Sequence, residues 1–130
     1  MDLEMHIVHQ SANKTADTHD NDDKDVQEKK WPLGKLAVIG VMFDTKNYDE
    51  VSWETVQVID NFFDSLSLSR FRYNTTNSTI NDVALGELMA VLNTSNRWVY
   101  SGSLTTPPCI ENVYWNVIKT VYPIKPHHLI

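Results

Sequence analysis

Residues Leu36 to Phe43 read Leu-Ala-Val-Ile-Gly-Val-Met-Phe, eight positions without a single polar side chain. A run of that length is strand-sized, and apolar residues at odd and even positions alike mean a strand covered on both faces. Such a strand needs paired neighbours at its sides and packed layers above and below. Two further stretches can join it. Around Met5–His9 a period of two puts Glu4, His6 and Val8 on one face and Met5, Ile7 and His9 on the other. In Val113–Val121, Val113, Trp115 and Val117 share a face. Trp98–Tyr100 reads as a short extended stretch. Strands so widely spaced argue against simple hairpins.

One helix is clear. Ser52 can cap it, and Glu54 in the first turn suits the positive end of the helix dipole. Trp53, Val56, Ile59, Phe63 and Leu66 recur at helical intervals and predict a core-facing stripe. Val83–Leu92 predicts a short helical turn. Ser11–Lys30 holds ten charges in twenty residues and reads as a solvated loop, as does the Asn-, Ser- and Thr-rich stretch Arg70–Ile80. Gly102–Pro108 is predicted irregular, because two prolines deny it a helix or a central strand. The expected class is α+β with the sheet dominant.

Composition narrows the partners. With 11 basic and 17 acidic residues the net charge is −6, so a nucleic-acid backbone is not an expected partner. The sequence has no apolar run of about 18 residues, the length a membrane helix needs. Met1-Asp2-Leu3-Glu4 has neither the basic start nor the apolar stretch of a signal peptide. A single cysteine, Cys109, excludes an internal disulfide framework and a cysteine-based zinc cluster within these residues.

Two patterns carry chemistry. Glu4 and His6 share a strand face, and a carboxylate beside an imidazole fixes its tautomer and raises its basicity as a metal ligand. A hydrogen-bonded structural histidine is the plainer reading of the same pair. In Leu104-Thr105-Thr106-Pro107-Pro108, Pro107 disfavours helical backbone at Thr106 and holds two hydroxyls ahead of a rigid turn. Orienting a small polar ligand is one use of that arrangement; a rigid turn alone is the other.

Glu4-Met5-His6-Ile7-Val8-His9 resembles the Glu-Leu-His-Leu-Val-His strand of the α-class carbonic anhydrases. Tyr100 to Cys109 resembles that family's Tyr-x-Gly-Ser-Leu-Thr-Thr-Pro-Pro-Cys signature, and Leu36–Gly40 its buried central strand. The resemblance implies part of a large, twisted, mostly antiparallel sheet with peripheral helices. It implies that His6 is one of three histidine ligands of a catalytic Zn2+ and that Glu4 orients it. Thr105 would aim the attacking hydroxide at carbon dioxide, and Thr106 would contact bicarbonate. Val8, Val38, Leu104, Val113 and Trp115 would form the apolar wall that holds carbon dioxide.

The same resemblance marks what these residues lack. No His-x-His pair, the source of the other two ligands, occurs between Met1 and Ile130. His9, His19, His127 and His128 do not stand at those positions. The expectation is therefore a partial domain over 1–130, missing N-terminal and C-terminal parts, and inactive in isolation. A zinc-free binding module of the same fold is the alternative. The cysteine at the position of Cys109 pairs with an N-terminal one in extracellular members, and Asn13, Asn74, Asn77 and Asn93 begin Asn-x-Ser/Thr triplets. Both features lead to the expectation of a secreted parent protein.

Overall fold

The computed structural model describes residues 1–11, 36–66 and 82–129. Most of the predicted loops Ser11–Lys30 and Arg70–Ile80 lies outside the described residues. Strand β1 is Leu3–Gln10 and β2 is Leu36–Asp44; helix α1 is Trp53–Ser65 and α2 is Leu85–Val91. Strands β3 (Arg97–Ser103) and β4 (Glu111–Pro123) follow, and a 3-10 turn spans Pro126–Leu129. The strands form one sheet in the order β1-β2-β4-β3. Among the described strands only the central pair, β2 and β4, is parallel; β1 with β2 and β3 with β4 run antiparallel.

The all-apolar run behaves as its pattern predicts. Val41 and Phe43 face one side of β2 and Val38 the other, and all three are fully buried. On the Val41 side the helices close the main core, where Phe43 meets Phe63 edge-to-face at 5.1 Å and Tyr122 at 6.3 Å. The hydroxyl of buried Tyr122 accepts the Asn93 N–H at 2.7 Å, so its one polar atom is satisfied. Opposite the two-residue step from Gly40 to Met42, β4 advances four residues, from Val117 to Val121. Two extra residues leave the alternation of faces intact, which keeps Ile118 and Tyr122 on the helix side.

Ser52 caps α1, its hydroxyl accepting the Thr55 N–H at 3.2 Å. The core stripe of this helix differs from the predicted one. Trp53 is 72% exposed, and the buried residues are Ile59, Phe62 and Phe63. Trp53 stands in the first turn, ahead of the part of α1 that packs in the core, and Phe62 fills the helix face that the spacing rule passed over. The hairpin expectation is corrected as well. β3 and β4 are consecutive, antiparallel and joined through residues 104–110, closed by the Leu104 N–H to the Ile110 carbonyl at 2.9 Å. Gly102 and Ser103 belong to β3 rather than to the irregular segment, and Asn112, at φ 62°, forms the bulge opposite them.

At the far end of β2, Asp44 is buried and accepts backbone N–H groups from Lys46 (2.9 Å) and Asn47 (2.7 Å). Its other oxygen lies 3.0 Å from the Met1 amino group. These N–H groups, those of Asn47 and Lys46 foremost, hold its carboxyl at about 2.

Candidate functional site

The opposite face of the sheet holds the Glu4–His6 pair. Alternation along β1 turns Glu4, His6 and Val8 to this side, and the His6 Nε2 lies 2.7 Å from a Glu4 carboxylate oxygen. A carboxylate can only accept, so this nitrogen donates and Nδ1 keeps its lone pair. The residue paired with His6 on β2 is Gly40. A β-carbon there would stand 3.4 Å from Val117 and 3.9 Å from the Glu4 carboxylate, ordinary contact distances, so the pair lies close above this position.

An apolar floor runs beside this pair. Register places Val8 opposite Val38, Val38 opposite Trp115, and Trp115 opposite Tyr100, one row across all four strands. Val38, Val113 and Trp115 are buried together, with Leu104 packed against them. The His6 ring meets the Trp115 ring edge-on at 4.8 Å, which joins the polar pair to the floor. Val8 sits at the rim and is 55% exposed.

Trp115 is held on three sides. Its indole N–H donates to the Ser103 carbonyl at 3.0 Å, and Tyr100 stacks on it at 6.2 Å with the planes 7° apart. The third side is Gly102, where a β-carbon would stand 3.2 Å from both the Trp115 and Tyr100 rings. Tyr100 and Gly102 had no assigned part in the sequence reading; a glycine inside a strand next to aromatic residues was the available signal.

Thr105 and Thr106 follow Leu104 in the loop between β3 and β4, and both are exposed. The loop is anchored at one end by Leu104 in the floor and turned by the Cys109 N–H to the Thr106 carbonyl, 2.9 Å. The Pro107–Pro108 peptide is cis. The structure thus brings Glu4, His6, Val38, Leu104, Val113 and Trp115 to one face, places Val8 at its edge, and puts the two threonines on the adjoining loop.

Comparison with known proteins adds the family. The model of the eukaryotic-type carbonic anhydrases matches residues 1–129. The chain belongs to the eukaryotic-type carbonic anhydrase family. It is 32% identical to carbonic anhydrase 4 of Rattus norvegicus over 126 residues, 96% of this chain and 35% of the rat protein. Identity to carbonic anhydrase 6 of Homo sapiens is also 32%, over 89% of this chain and 32% of the human one. The chain therefore spans about a third of the length of these relatives. Among solved structures, the halotolerant carbonic anhydrase of Dunaliella salina superposes with a TM-score of 0.52 at 28% identity, covering 97% of this chain and 40% of that one. The Photobacterium profundum α-carbonic anhydrase shares the fold at a TM-score of 0.58 and 24% identity, over 97% of this chain and 43% of that one. The four-stranded mixed sheet and two helices are thus part of the carbonic anhydrase fold.

Proposed function

We propose that these residues form the later wall of a carbonic anhydrase active site, and that the whole domain hydrates carbon dioxide reversibly to bicarbonate and a proton. The observation that carries this reading is the Glu4–His6 pair at 2.7 Å, set edge-on against the Trp115 floor. The donor set suits one ligand of a zinc ion: an imidazole whose Nε2 is engaged and whose Nδ1 keeps its lone pair. When bound, zinc supplies Lewis acidity and activates water at neutral pH.

The chain's own residues do the rest. Glu4 fixes the His6 tautomer. Val38, Val113, Trp115 and Leu104 offer an apolar surface to a substrate without a dipole, and Val8 closes its rim. Thr105 and Thr106 offer hydroxyls to the attacking oxygen and to bicarbonate. Cys109 is a free, exposed thiol and Asn93 is exposed, both compatible with the extracellular parent proposed here. A zinc-free binding module has less in its favour, because it has no use for a carboxylate-oriented histidine.

One histidine cannot replace a three-histidine site, so residues 1–130 alone are expected to leave carbon dioxide hydration at the background rate. The test is a chimera in which this chain replaces the aligned third of rat carbonic anhydrase 4. Zinc-dependent, sulfonamide-sensitive hydration in stopped flow, lost in His6→Ala, is the expected result. A folded, zinc-loaded chimera with unchanged activity in His6→Ala would overturn the assignment.

A further inference from the structure

A second cluster of metal-binding side chains lies away from the Glu4–His6 face, where α1 meets the 3-10 turn. Asp60 projects from α1, and His127 and His128 are consecutive in the turn. One ligand atom from each of the three lies within 4.8 Å of the other two. His128 is buried, with tilted ring contacts to Phe63 (5.4 Å) and His127 (4.0 Å) and its Nε2 2.7 Å from Asp60 Oδ1. Lys125 pairs with the other Asp60 oxygen, and Asp64 lies 3.9 Å from His128 Nδ1.

The Asp60–His128 contact alone would be a staple between helix and turn. His127 goes beyond that. Its exposed ring folds over His128 instead of extending into water, and so brings a second imidazole to the same carboxylate. Two imidazoles at that distance repel each other when protonated, whereas a cation between them and a carboxylate makes their convergence favourable. Asp60 accepts from Lys125 on one carboxylate oxygen and meets His128 with the other, which turns its carboxylate toward the C-terminal turn.

We propose that Asp60, His127 and His128 form a binding site for a divalent first-row transition metal, Zn2+ or Ni2+, separate from the His6 face. Two nitrogen donors and one carboxylate suit these ions and not Ca2+ or Mg2+, which prefer oxygen ligands throughout. On binding, the His128 proton shifts from Nε2 to Nδ1, on the side of Asp64, Nε2 and Asp60 Oδ1 part to admit the metal, and rotation of the exposed His127 ring completes the three protein ligands. The bound ion would clamp the C-terminal turn to α1.

The test is made in His6→Ala carrying Val99→Lys, so that the other histidine site is silent and the exposed edge of β3 does not associate. Zinc chloride and nickel chloride are titrated while the histidine ring signals are followed by NMR. One equivalent should bind, with the His127 and His128 rings shifting together. His127→Gln, an exposed substitution that leaves the core untouched, should weaken binding at least about tenfold with an unchanged circular-dichroism spectrum. Rings that stay in place, or a His127→Gln chain that binds as tightly as its parent, would overturn the proposal.

Discussion

His6 and Glu4 meet at 2.7 Å through Nε2, so the tautomer of the imidazole is set from within the same strand, two residues away. Period-two alternation alone places both side chains on one face, with His6 across the ladder from Gly40. In the rat chimera, Glu4→Ala is expected to lower zinc affinity about 10- to 100-fold, the usual effect of removing a partner that orients a ligand. Glu4→Gln should cost less, since its amide oxygen still accepts from Nε2. Chelator competition measures both, and unchanged affinity in Glu4→Ala would reduce the pair to a structural contact.

Thr105 and His6 should separate cleanly in the same chimera. His6→Ala should remove the proposed ligand and most of the zinc. Thr105→Ala should leave zinc content unchanged and slow hydration, because the role proposed for its hydroxyl is to orient the reacting oxygen. Zinc analysis beside stopped-flow rates distinguishes the two, and equal zinc loss in both variants would contradict the roles assigned.

Gly102 supports the aromatic floor. A methyl group at this position would stand 3.2 Å from Trp115 and Tyr100 at once, closer than ordinary packing allows. Gly102→Ala should therefore unstack the pair and cost about 1–3 kcal/mol, the usual range for an overpacked site. A shift in tryptophan fluorescence and a lower urea midpoint are the expected signs. A variant with parental values for both would show that the rings have slack.

Asp44 gives the chain an acid-sensitive end. Its carboxyl titrates at about 2 against an ordinary 3.8, chiefly because it accepts the Asn47 and Lys46 N–H groups. A group whose folded value is depressed stabilises above its unfolded value and loses that contribution as pH falls. The loss should run from about pH 4 down to about pH 2, with Asp2 and Asp60, also lowered, adding in the same direction. Asp44→Asn should flatten the dependence of the urea midpoint on pH across this window. An unchanged slope would remove Asp44 from the account.

The parts of the fold legible in the sequence are those fixed by local rules. The apolarity of Leu36–Phe43, the Ser52 cap and the shared face of Glu4 and His6 each follow from one short stretch of chain. The spacing counts Trp53 in the core stripe and passes over Phe62, because it marks a stripe but not where the sheet lies against it. The Tyr100–Trp115 stack depends on the register of β3 with β4, which Asn112 shifts by one residue through its bulge. Asp60 and His128 are 68 positions apart, and only the packing of the C-terminal turn on α1 brings them together. Asp44 reads as an ordinary strand-ending aspartate until its three N–H partners are seen.

The outer strands carry the last prediction. Among the described residues β1 and β3 have no neighbour on their far sides within the sheet, and β3 exposes Trp98, Val99 and Tyr100 in sequence, at 63%, 59% and 49%. Unpaired N–H and C=O groups beside consecutive apolar side chains are a template for pairing with another chain. Each large apolar side chain left in water forfeits roughly 1.5–3 kcal/mol of possible burial. Three together approach the lower end of a domain's whole stability, roughly 5–15 kcal/mol. The 130-residue chain by itself should therefore self-associate as its concentration rises, and Val99→Lys, which puts a charge on the exposed edge, should suppress this. Size-exclusion chromatography over a concentration series reads the effect directly. A parent chain that elutes as a sharp monomer throughout, with protected amides along Leu36–Phe43 and Val113–Val121, would show that these edges are sufficiently blunted and that the third of the fold present here stands alone.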